Sequence, residues 1–174
     1  DKVTEMKRAG REVAALCVGE PDYDTADTVK AAAVRAIHAG KTKYSPLAGI
    51  PELQAAICRK FKHDNGLDYR AENIIVSSGG KQVINSALAA TLNPGDEVVI
   101  FAPYFVEYLF YADNHGGTCR VVPTDETFMP DLDAFESGIG PRTRIVLVNS
   151  PNNPTGVVYG ADVLARLGET VRGK

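Results

Sequence analysis

No run of apolar residues in this chain approaches the roughly 20 needed to cross a bilayer, so no membrane partner is expected. Charge of one sign is not in excess either. The formal net charge is −3 with acids and bases interspersed, which leaves no basic stripe for a phosphate backbone and excludes nucleic acid as the expected partner. Cysteine is scarce: Cys17, Cys58 and Cys119 are odd in number, far apart and never spaced as Cys-x-x-Cys. Neither a disulfide framework nor a zinc site fits, and small buried thiols in a reducing, cytoplasmic compartment are expected. His38, His63 and His115 stand in separate contexts without metal-ligand spacing, so no metal is expected.

The amino terminus, Asp1-Lys-Val-Thr-Glu-Met-Lys-Arg8, carries no signal or targeting pattern. Both ends of the 174-residue chain break into helical stretches, so a portion of something longer is expected. The length suits one substantial α/β domain or one domain with a piece of another, and an apolar content of 44% can build its core.

A short helix end over residues 4–9 stops at Gly10, and residues 12–18 read as extended. The loop 19–25 follows, with Asp24 or Thr25 available as a cap for a helix over 28–39, where Val29, Ala32, Ala33, Ala36 and Ile37 recur at helical spacing. Pro51 opens a second helix with Leu53, Ile57 and Phe61 on one face. From there strands and helices alternate: strands at 73–77, 97–101, 118–122 and 144–149, helices at 81–92, about 105–114 and 131–137. Such alternation gives an α/β fold, a largely parallel sheet with flanking helices.

Polar segments at the carboxyl ends of such strands are where open α/β sheets bind ligands. Val76-Ser-Ser-Gly-Gly-Lys81 turns from strand to helix through two glycines, so bare backbone and the positive helix end can meet an anion. It has neither P-loop nor dinucleotide spacing. A single phosphate group fits it better, and a plain tight turn fits it too. Ala102-Pro-Tyr-Phe-Val-Glu-Tyr108 places Phe105 where it either covers a planar ring or packs beneath its own loop. Asn149-Ser-Pro-Asn-Asn-Pro-Thr-Gly156 is either a surface turn or a rigid holder for the Asn153 amide, since prolines restrict the backbone on both sides. Glu20 and Asp22 read as solvated or capping residues rather than an acid/base pair.

Four landmarks fall in one order: Gly19-Glu-Pro-Asp22, Tyr44-Ser-Pro-Leu-Ala-Gly49, Ser78-Gly-Gly-Lys81 and Asn152-Asn-Pro-Thr-Gly156. With the Pro103–Tyr108 block between them, the chain resembles the class I/II aminotransferases, fold type I enzymes dependent on pyridoxal 5'-phosphate. The resemblance implies that Gly79, Gly80 and Lys81 hold the cofactor phosphate, that Phe105 stacks on the pyridine ring and that Asn153 bonds the ring hydroxyl. It implies a homodimer in which Tyr44 reaches the neighbouring subunit's phosphate. On the substrate side it implies Gly19, Phe105, Asn153 and Lys81, the last meeting a second carboxylate on an aspartate-type substrate. The partners would be an amino acid and a 2-oxo acid.

By the same resemblance, residues 1–25 are the amino-terminal part of a small domain and 26–174 the first portion of the large cofactor-binding domain. The family's Schiff-base lysine is expected downstream of Lys174, so no catalytic residue is assigned within the chain, and the chain alone is expected to be inactive. Two other readings share these motifs: a short non-catalytic binding or dimerisation module, and another fold type I enzyme such as a carbon–sulfur lyase or synthase.

Overall fold

A computed structural model describes residues 2–14 and 19–173. Cys17, Lys174 and most of the segment expected to be extended at 12–18 lie outside the described residues. The chain divides into two compact units, residues 1–46 and 47–174. The first holds α1 (Lys2–Arg8) and α2 (Asp27–His38). Asp24 does not cap α2 as expected. Ala26 takes the cap position, and the Asp24 carboxylate instead accepts from the Lys30 ammonium at 2.7 Å and from the Thr25 N–H.

The second unit begins with α3 (Pro51–Asn65), which has proline in its first turn and ends on Gly66 with φ 67°, a left-handed stop natural to glycine. After a 3-10 turn at Ala71–Asn73 come α4 (Gly79–Thr91), β1 (Glu97–Phe101), α5 (Glu107–Asp113), β2 (Thr118–Val122), α6 (Leu132–Gly138), β3 (Thr143–Val146) and α7 (Ala161–Arg172). The Asp131 carboxylate caps α6 by accepting from the Ala134 N–H at 2.9 Å.

The strands are all parallel and lie in the order β2-β1-β3. Alternation along β1 assigns its side chains to two different layers. Val98 and Ile100 pack with Leu88 and Leu92 at the end of α4 and Tyr108 and Ala112 of α5. Val99 and Phe101 face the other way, onto Val122, Phe135 of α6 and Leu167 of α7. Every residue of β1 is buried, as expected of a central strand covered on both faces. The expected α/β fold with flanking helices is borne out.

Two expectations need correction. Residues 74–77 form no sheet strand. The Val76 N–H donates to the Ala48 carbonyl, and Gln54 Nε2 donates to the Ile74 carbonyl at 2.8 Å, so loop and side chain satisfy backbone that a ladder would otherwise use. The third strand ends at Val146 rather than Asn149: the Leu147 N–H still reaches the Val99 carbonyl, and the chain then bends away.

Among the described residues no helix is long and apolar enough to cross a membrane. Cys58 and Cys119 are free and half-buried, and burial pushes the Cys119 thiol up to about 11.

Candidate functional site

With β1 in the middle, the chain leaves it toward β2 on one side and later returns to place β3 on the other. Connections on opposite faces therefore part at the carboxyl ends of β1 and β3, the position at which open α/β sheets bind ligands. The loop after β1 (residues 102–106) and the loop after β3 (147–156) flank it.

One buried side chain joins the two loops. Asn152 Nδ2 donates to the Pro103 carbonyl and to Thr155 Oγ1, both at 3.0 Å, and Asn152 is only 9% exposed. Further bonds hold the second loop: Asn149 Oδ1 accepts from the Asn153 N–H at 2.8 Å, and Ser150 Oγ accepts from the Tyr159 N–H at 2.9 Å. The peptides before Pro103, Pro151 and Pro154 are cis. Asn153 itself is exposed.

The third component is the first turn of α4. Gly79 has φ 82°, and a Cβ built at Gly79 or Gly80 would meet open space, so the backbone here is uncovered. Ser78 at the helix start makes no side-chain cap bond, so it leaves the first-turn N–H groups of Gly80 and Lys81 to other acceptors. Uncapped N–H groups at the positive end of a 13-residue helix suit a phosphate.

Lys81 links this turn to the aromatic loop. Its ammonium lies 5.5 Å from the centre of the Phe105 ring, within cation–π range. It also pairs with Glu107 Oε1 at 2.5 Å, while Tyr111 donates its hydroxyl to Glu107 Oε2 at 2.5 Å. The hydrogen bond from Lys81, then that from Tyr111, holds the Glu107 carboxyl below the usual range. Tyr111 is pushed up to about 12 by the same carboxylate. Phe105 is half-buried and edge-on to Tyr108 with ring centres 5.6 Å apart, so it packs in part beneath its own loop.

The structure thus brings Lys81 and Phe105 together and sets the Asn152 loop against Pro103, two residues before Phe105. Gly79 and Gly80 share the exposed turn with Lys81. Gly19 and Tyr44 belong to the first unit, both exposed. Three residues that shape this site escaped the sequence reading. Asn152 was passed over for its neighbour, and which of two adjacent asparagines turns inward has no periodic signal. Glu107 and Tyr111 were visible as an i,i+4 pair of opposite hydrogen-bonding character.

The family model described as aminotransferase class I and II matches residues 11–174. The chain is 48% identical over 170 residues to a probable aspartate/prephenate aminotransferase of Thermus aquaticus, covering 97% of this chain and 44% of that protein. It is 50% identical over 173 residues to an aspartate/prephenate aminotransferase of Cereibacter sphaeroides, covering 98% and 43%. A solved aspartate aminotransferase from Thermus thermophilus with maleate superposes with a TM-score of 0.93 at 46% identity, over 99% of this chain and 46% of that one. An alanine aminotransferase from Pyrococcus furiosus gives 0.89 at 30% identity, over 97% and 45%. The chain therefore spans less than half the length of the relatives it matches.

Proposed function

The chain belongs to the aminotransferase class I and II family, and from that premise we propose that it forms the amino-terminal half of a pyridoxal-phosphate enzyme moving an amino group between an amino acid and a 2-oxo acid. The observation that carries this is the meeting of Lys81, in the first turn of α4 where no side chain caps the helix, with Phe105 in the loop that follows β1. It offers an anion seat and an aromatic surface within one side chain's reach, the two features a phosphorylated ring requires.

When bound, the cofactor supplies the electron sink for chemistry at the amino-bearing carbon. The chain's own residues hold and orient it. Gly80 and Lys81 present backbone N–H groups to the phosphate, Gly79, whose own N–H is bonded to the Ser77 carbonyl, leaves the turn open for its approach, Phe105 covers one ring face against water, and the Asn153 amide meets the ring hydroxyl. Lys81 has a second use, in which its ammonium receives the distal carboxylate of an aspartate-type substrate. The ring of Tyr44, fully exposed within this chain, suits a contact with a partner subunit's phosphate in a cytoplasmic homodimer. Residues 1–25 belong to the smaller domain and 26–174 to the larger; the compact division after Pro46 falls inside the latter.

An apolar groove of about 620 Å³ between β3 and α7, lined by Ile145, Val148, Leu164 and Val171, supports a larger assembly. We propose that the remainder of the enzyme, including its Schiff-base lysine, completes the sheet there.

Full-length protein incubated with aspartate and 2-oxoglutarate should form glutamate and the matching 2-oxo acid in equal amounts. Release of a 2-oxo acid and ammonia from a β-thioether amino acid, with loss of the β-thiol and no acceptor, would instead establish elimination. Phe105→Ala should weaken retention of the cofactor roughly tenfold, the worth of one ring contact, followed by its visible absorbance on dilution. Undiminished retention would remove Phe105 from the site.

A further inference from the structure

We propose that Glu107 sets the enzyme's preference between acidic and uncharged substrate side chains, by occupying the Lys81 ammonium as a built-in rival to the substrate's second carboxylate. The inference rests on Lys81 being the contact for that carboxylate, as argued above.

Lys81 extends from the first turn of α4 to the first residue of α5, 26 positions along the chain, to reach Glu107. The two ends of this pair are held unequally. One Glu107 oxygen takes the ammonium and the other takes the Tyr111 hydroxyl from one turn further along its own helix. Its position at the start of α5 also favours negative charge. Glu107 is therefore anchored from its own element, and its side chain is 30% exposed. The Lys81 side chain is 67% exposed, and among the described residues its ammonium pairs with the Glu107 carboxylate and lies 5.5 Å from the centre of the Phe105 ring.

The lysine is accordingly the mobile partner. A substrate carboxylate arriving beside Phe105 meets a cation whose charge is already balanced, and must draw the ammonium from Glu107 or share it. A substrate with an uncharged side chain leaves the pair intact. Acidic substrates thus bear a competition that neutral ones escape, and an exposed pair of this kind is worth roughly a two- to fivefold change in binding.

The test uses the full-length holoenzyme and two acids of equal length, succinate and butyrate, which differ in the second carboxylate. Their dissociation constants are measured by calorimetry for the wild type, Glu107→Gln, Glu107→Ser and Lys81→Met. Removing the Glu107 charge by either route should tighten succinate roughly threefold while leaving butyrate unchanged, and unchanged butyrate binding also shows that each variant is folded. An unaltered or lowered preference for succinate in both Glu107 variants would overturn the proposal, since Glu107 would then be inert or would only aim the lysine. Lys81→Met should abolish the preference. A Lys81→Met enzyme that still prefers succinate would remove the premise about Lys81, an outcome distinct from failure at Glu107.

Discussion

The residue whose charge matters most to the frame lies at the opposite end of β1 from the site. Glu97 is buried, its side chain 8% exposed, and both its oxygens are bonded: Arg120 Nε at 3.1 Å and Arg142 Nη2 at 2.7 Å. The hydrogen bond from Arg120, then that from Arg142, holds its carboxyl below the ordinary 4.5. A carboxyl depressed by folding stabilises the native state where it is ionised. Its contribution is complete above the ordinary value and is lost as pH falls through the depressed one. Because both arginines are substantially exposed, solvent screens the pair, and Glu97→Gln should cost about 1–2 kcal/mol at neutral pH. Urea titrations at pH 7 and pH 3 should show the variant losing less stability on acidification than the wild type. Equal acid sensitivity would mean that the arginines are satisfied without the charge. No sequence pattern announced this cluster, because Glu97, Arg120 and Arg142 meet only once three parallel segments are in register.

At the scale of elements, alternation of apolar runs with turn residues was enough to find β1 and β2 with their observed ends and to find α4, α5 and α6 within a few residues. Periodicity carried that information because each element buries a defined face. It failed at residues 74–77, where Ile-Ile-Val is as strand-like as any stretch in the chain. Composition reports burial, whereas a strand also needs a neighbour. Here Ile74 is buried and Ile75 is 75% exposed, and the segment is tied to the 47–50 loop. Gly49 makes that tie possible. Its φ is 102°, and a Cβ there would stand 2.6 Å from Val76 Cγ2, inside any allowed contact. Gly49→Ala should therefore destabilise the second unit by about 1–3 kcal/mol, through both the left-handed backbone and the clash, as read by the midpoint of thermal unfolding. An unchanged midpoint would show that the loop and Val76 separate freely. The site was legible to the same degree: its loops could be placed at strand ends, while the inward turn of Asn152 rather than Asn153 depended on a carbonyl 49 residues away.

In the molecule as a whole, the sheet has two open edges, β2 and β3, and a single interior strand. Val98 and Val99 are adjacent in sequence and equally inaccessible, yet they serve different layers. Trimming either to alanine should cost about 2 kcal/mol. The damage should travel in opposite directions: amide hydrogen exchange should quicken first in α4 and α5 for Val98→Ala, and in α6 and α7 for Val99→Ala. Identical exchange maps would mean that the layers open as one. The neighbouring strands carry the same division, β2 sending Cys119 to one layer and Val122 to the other and β3 parting Ile145 from Val146, so the sheet as a whole joins the two layers. Strain imposed on α4 can reach the far layer through those strand interiors, and β1, buried along its whole length, is the first place to look for long-range coupling.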